Sequence, residues 1–187
     1  MTAAEQPSGW SVDDELVDAA SGGDRSAFRE IVLRFDPGLR SLAFRLLRDQ
    51  DRMDDVLQEA YLKAYQALPQ FQGDARFGTW LYRITYNTCL DELRDTVKRE
   101  WAEFDDESHA AVVPDPSDLV ADRLLVDHAI SRLAPGYQAV LVLVDGQGFD
   151  YKAAGEILGI AQGTVASRLH RARQAMSRAL DIEGSRA

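Results

Sequence analysis

The chain has 187 residues, a length that suits one compact domain or two small ones, and its composition is that of an ordinary globular protein. Its single cysteine, Cys89, excludes an internal disulfide, and His109, His128 and His170 lack metal-ligand spacing, so no structural metal and no cofactor are expected. The net charge of −10 argues against a protein that holds nucleic acid by charge alone.

Residues 1–10 read as a disordered N-terminus; MTAAEQPSGW has neither a basic start nor an apolar stretch. No apolar run nears the roughly 18 residues that span a bilayer, so the expectation is a cytoplasmic chain without membrane insertion. Ser11 with Asp14 has the spacing of a capping box, opening a short helix that Gly22 and Gly23 end. Phe28, Ile31, Val32 and Phe35 keep the i, i+3, i+4, i+7 spacing of an amphipathic helix, which Pro37 is predicted to interrupt before Leu39, Leu42, Ala43, Leu46 and Leu47 resume it. A third helix, from about Arg52 to Leu68, carries Leu57, Tyr61 and Tyr65 on one side and stops at Pro69. Gln70 to Ala75, reading QFQGDA, is punctuated as a loop, and helix resumes through FGTWLYRITYNTCLDELRD.

From about Val97 to Ser117 the apolar period disappears. Between Trp101 and Asp122 stand seven acids and no Lys or Arg, the composition of a tether. Beyond it, Leu119 to Leu133 reads as helix, Pro135 and Gly136 as a turn, and Tyr137 to Val144 as a strongly apolar helix. The run AVLVLV suits a buried strand by composition alone, and its helical surroundings favour a core helix. Asp150 to Arg173, DYKAAGEILGIAQGTVASRLHRAR, then lays two short helical patterns around a glycine. Ile157 and Leu158 close the first, Gly159 supplies the left-handed residue, and Val165 and Leu169 give the second an inward face. Ser167, Arg168, His170 and Arg171 are left largely outward on what reads as a helix-turn-helix, where such residues can donate to base edges and phosphates. From Gln162 to Arg178 there are four arginines and no acid, so charge is segregated along the chain.

In Gln70 to Asn87 the rings of Phe71, Phe77, Trp80, Tyr82 and Tyr86 crowd around Arg76, Arg83 and Asn87. Unpaired bases stack on aromatic faces, phosphates meet arginine, and an amide can read a base that has left the duplex. The same rings can equally pack a core; Trp80 and Ile84 stand at i, i+4.

Taken in order, GDRSAFREIV, DDVLQEAYLKAYQAL, FQGDARFGTWLYRITYNTCLDELR, LAPGYQAVLVL and EILGIAQGTVASRLHRAR resemble the extracytoplasmic function (ECF) group of alternative sigma factors of bacterial RNA polymerase, over about residues 12 to 180. The resemblance implies an all-α chain of two small helical domains: sigma domain two over 11–98 and a helix-turn-helix sigma domain four over 118–182. A flexible acidic linker over 99–117 joins them, and 183–187 form a tail. It implies a non-enzymatic specificity subunit that binds core RNA polymerase through the clamp helices and flap, and promoter DNA at the −10 and −35 elements. An anti-sigma factor is the implied regulator.

Position by position, Asp54, Asp55, Gln58 and Glu59 match the family's polymerase-binding helix. Phe71, Gln72, Gly73, Asp74 and Ala75 match the loop that captures a flipped −10 base, with Asn87 beside its pocket and Arg76, Trp80 and Arg83 in the same −10 segment. Thr164, Ala166, Ser167, His170 and Arg171 match −35 reading positions, with Arg168 and Arg173 on phosphates. Glu103, Asp105, Asp106 and Glu107 of the linker are then candidates for the path of nascent RNA. Two departures stand out. Ala166 occupies a place where the family carries Lys or Arg, shifting −35 reading onto Ser167 and Arg171. Gly155 lies inside the scaffold helix, where glycine costs about 1 kcal/mol against alanine and predicts a softer helix. The rival reading is a free-standing helix-turn-helix regulator with an N-terminal sensor or dimerisation module.

Overall fold

The computed structural model describes residues 14–73, 76–103 and 129–184. Among these every regular element is helical. Ser11, Asp74, Ala75 and the acidic segment 104–128 lie outside them, and so does most of the helix expected over Leu119 to Leu133.

Four helices form the N-terminal unit: α1 (Asp14–Ser21), α2 (Arg25–Leu47), α3 (Gln50–Ala67) and α4 (Phe77–Glu103). The Asp24 carboxylate caps α2 by accepting from the Ser26 and Ala27 amides at 2.8 and 3.3 Å. Asp49 caps α3 by accepting from the Arg52 amide at 3.0 Å, directly after Arg48 has turned the chain in the left-handed region. Ile31, Phe35, Leu39 and Leu42 of α2 meet Val56, Leu57 and Ala64 of α3 and Leu81 and Cys89 of α4 in one buried core. Arg52 of α3 locks α4 from the rim, donating to Glu92 at 3.0 Å and to Thr96.

Pro37 does not interrupt the second helix. α2 runs unbroken through it, because Phe35, Leu39 and Leu42 bury on both sides of the proline while Pro37 itself faces solvent. Proline has no N–H to offer the Leu33 carbonyl one turn back, and Leu33 lies on the exposed side, where water can reach. Helix α4 likewise continues to Glu103, past the expected start of the linker, even though its apolar period has faded.

The C-terminal unit follows a helical turn at residues 129–131 with α5 (Pro135–Leu141), α6 (Tyr151–Leu158) and α7 (Gln162–Gly184). Pro135 opens α5, and the buried Gln138 amide donates to the Leu133 carbonyl at 2.6 Å, stapling the helix to the turn before it. The AVLVLV run is helical; its end, Val142–Gly146, widens into a π-helical turn. The two units pack together in this structure. Helix α6 lies on α4 and α5 on α2, and Tyr82 (fully buried) meets Phe149 edge-on with ring centroids 4.9 Å apart.

Candidate nucleic-acid interface

The α6–α7 pair has the geometry of a helix-turn-helix. Asp150 caps α6 by accepting from the Ala153 amide at 2.7 Å, and Gly159, at φ 66°, ends it. The Ile160 amide then donates to the Gly155 carbonyl at 3.0 Å, folding the turn back over α6. A Cβ on Gly155 would sit 2.7 Å from the Ile160 carbonyl oxygen, so glycine is what lets the turn close. The expected softness of this helix is therefore only half of the account: the residue that lowers its propensity also makes the crossing possible.

Val165, Leu169 and Ala172 of α7 are buried against α5 and α6. The opposite side presents Ser167, His170 and Arg171 to solvent, with Thr164 and Ala166 half-buried beside them. The Ser167 hydroxyl donates back to the Thr164 carbonyl at 3.0 Å, and Gln174 Nε2 lies 3.0 Å from His170 Nε2. Arg173 is exposed yet engaged: Asp145, carried outward on the π-helical turn, accepts from its Nε and Nη2 at 3.0 and 2.6 Å. That bidentate bond holds the guanidinium pKa above its ordinary value. Any anion approaching Arg173 would have to compete with Asp145. Arg168 is half-buried and turned elsewhere, toward Gly136 and Tyr86.

In the N-terminal unit, Arg76, Trp80, Arg83 and Asn87 fall at i, i+4, i+7 and i+11, along one side of α4 and its entry. Arg76, Arg83 and Asn87 are exposed and Trp80 is half-buried. Phe71, Phe77 and Trp80 form a mutual cluster with centroids 5.2 to 5.4 Å apart, and Phe77 also meets Phe35 at 6.2 Å. Phe77 is buried in the core, and the half-buried Phe71 and Trp80 pack against it beside the exposed Gln72 and Gly73. Tyr82 and Tyr86 do not belong to the exposed group. They lie on the inward side of α4 with Leu81, Thr85 and Cys89, and burial pushes both phenol pKa values up. An unpaired base cannot stack on them here.

On α3, Asp55, Gln58 and Glu59 are exposed and Asp54 half-buried, giving an acidic ridge. Glu59 pairs with Lys63 at 2.7 Å, one turn on. Sequence reasoning missed the group behind Asp54. Arg40 of α2 donates to Asp54 at 2.5 Å and to Asp36 at 3.0 Å, and the Tyr61 hydroxyl donates to the other Asp36 oxygen at 2.7 Å. The i, i+4 spacing of Asp36 and Arg40 was the available signal; the partners from α3 were not readable without the fold.

The comparisons agree with this architecture. The sigma-70 region 2 family matches residues 31–99, and the sigma-70 region 4 family matches 123–176. The chain is 37% identical over 168 residues to the ECF RNA polymerase sigma factor SigM of Mycobacterium tuberculosis, covering 90% of this chain and 84% of that protein. It is 33% identical over 176 residues to the ECF RNA polymerase sigma-E factor of Escherichia coli, covering 88% and 92%. Among solved structures, CnrH in complex with the cytosolic domain of CnrY superposes with a TM-score of 0.69 at 27% identity, over 91% of this chain and 97% of that one. With both helical units matched in order and these relatives spanned nearly end to end, the chain belongs to the ECF group of the sigma-70 family.

Proposed function

We propose that this ECF sigma factor recruits core RNA polymerase through the acidic ridge of α3, reads the −35 element as duplex with α7, and captures the melted −10 non-template strand along Arg76, Trp80, Arg83 and Asn87. The observation that carries the reading is that α4 strip. Cations and an amide stand open beside a half-buried ring, backed by the ordered Phe71–Phe77–Trp80 cluster, the combination a displaced strand needs. Extruding a base costs a few kcal/mol, and a preformed pocket offsets that cost without ATP. On α7, Arg171 and Ser167 are the direct readers and Arg173 a phosphate contact once it leaves Asp145.

The polypeptide contributes specificity and no catalytic group. Its partners are the largest-subunit clamp helices, the flap and promoter DNA. Reversible capture without fuel also suits control by an anti-sigma factor, and the place of action is the cytoplasm. Residues 11–98 act as domain two and 118–182 as domain four. Among the described residues no helix is long and apolar enough to cross a membrane.

Replacement variants separate the two readers. With core polymerase present, Arg171→Ala is expected to lower binding to −35 duplex by roughly 10- to 100-fold and to relax sequence preference there. Asn87→Ala is expected to leave duplex binding intact and reduce permanganate-reactive open complex. Equal losses at both steps from either variant would contradict the assignment.

A further inference from the structure

Arg173 and Asp145 are presented to one another by backbone that is fixed on both sides. On α7, Arg173 follows the fully buried Ala172. At the end of α5, Val142 and Leu143 are buried, the Phe149 amide donates to the Leu143 carbonyl at 3.0 Å, and the Gly148 amide donates to the Val144 carbonyl at 3.1 Å. These anchors hold the π-helical turn Val142–Gly146, which sets both Asp145 oxygens on the guanidinium, at 3.0 Å from Nε and 2.6 Å from Nη2. Such turns are rare and frequent at functional sites. The clasp is no part of the core, since the Arg173 and Asp145 side chains are 55% and 35% exposed. It takes up the fork of N–H groups with which an arginine grips a phosphate. Of the four arginines between Gln162 and Arg178, Arg168 is half-buried and Arg173 is clasped, while Arg171 and Arg178 are exposed. In a chain of net charge −10, one phosphate contact withheld is a large share of what holds duplex DNA.

We propose that Asp145 sets the affinity for the −35 element by competing with a DNA phosphate for Arg173, so that the duplex is held less tightly than the arginines of α7 alone would hold it. The inference rests on the promoter-reading assignment above and deepens it by naming a residue that acts against binding. An ion pair exposed to water is weak, and the bidentate form stands at the stronger end of that range. A phosphate arriving beside α7 therefore displaces Asp145 without unfolding the turn, and the displacement subtracts from what the new contact gains. Phosphate contacts carry no base identity, so Asp145 lowers affinity uniformly across sequences and leaves preference to Ser167 and Arg171. A weakened grip on duplex makes α7 more dependent on the polymerase to stay at a promoter.

The test is binding of the full chain, with core polymerase, to −35 duplex across a series of salt concentrations, for Asp145→Asn and Asp145→Ser, each with Arg173 present and with Arg173→Ala. With Arg173 present, both Asp145 variants are expected to bind roughly three- to tenfold more tightly and to steepen the slope of log K against log salt by about 1, the mark of one added phosphate contact. A support for the fold alone would leave that slope where it is. With Arg173→Ala the same variants are expected to gain no more than about twofold, since a lone exposed charge is screened, and to leave the slope unchanged. Unchanged or weaker binding from both Asp145 variants overturns the competition and makes Asp145 a support for Arg173. An equal gain with and without Arg173 also overturns it, because the effect is then one of net charge. Arg171→Ala in the same series separates this inference from the reading beneath it. Binding that needs Arg171 and ignores Asp145 removes only the competition, whereas binding that ignores both removes α7 from the duplex altogether.

Discussion

Replacing Gly155 with alanine is expected to destabilise domain four by about 2 kcal/mol, opposite in sign to the gain of about 1 kcal/mol that helix propensity alone predicts. The sign is decided by what the new methyl meets. At 2.7 Å from the Ile160 carbonyl oxygen it strikes backbone, which cannot swing aside as a long side chain does. That carbonyl belongs to the turn between the two helices, so relief of the clash displaces α7 relative to α6, and with it Ser167 and Arg171. Thermal unfolding followed by circular dichroism should show a lowered Tm for the C-terminal transition, and binding to −35 duplex should fall by roughly tenfold or more, at 1.4 kcal/mol per decade. A raised Tm would mean that the turn has slack and that Gly155 is dispensable.

The second large effect belongs to α3. Reversing Asp55 and Glu59 to lysine is expected to weaken binding to core polymerase by 100-fold or more, since like charges brought together across an interface cost several kcal/mol. Folding should be almost untouched. Both positions are exposed, and the lost Glu59–Lys63 pair is a surface i, i+4 contact worth only about 0.3–0.5 kcal/mol. An unchanged Kd for core polymerase, with a native circular dichroism spectrum, would move the docking surface off this ridge. Asp54 is the poorer choice for that test, because Arg40 binds it at 2.5 Å and its loss would also disturb the group that Arg40 forms with Asp36 and Tyr61.

How far the sequence carried the reading depended on whether the deciding partner was near in the chain. The helix-turn-helix was legible throughout: Gly159, Val165 and Leu169 act through the backbone or at helical spacing, and each does what the pattern implied. The five motifs also carried the family. Pro37 was misread because a breaker rule counts local hydrogen bonds, whereas burial of Phe35 and Leu39 on either side decides the outcome. The aromatic segment leaves a stacking role and a core role open for its rings, and the fold divides it between them. Tyr82 and Tyr86 turn inward with Leu81 and Cys89, whereas Trp80 and Asn87 keep to the open side, a division that helical phase within α4 already contained. Arg168 and Arg173 looked like equivalent phosphate contacts. Only the fold shows one against Tyr86 and the other in the grip of Asp145, because both partners come from outside the helix.

The proposed division of labour is α3 for the polymerase, α4 for the opened strand and α7 for the duplex. Run-off transcription from a library of promoter fragments, with purified core polymerase alone and with this chain added, tests that account most directly. The account predicts start sites that appear only with the chain, share a −35 and a −10 sequence, and fade when Arg171 or Asn87 becomes alanine. Core polymerase that neither binds the chain nor gains a start site, while the chain alone binds a repeated duplex half-site, would contradict it.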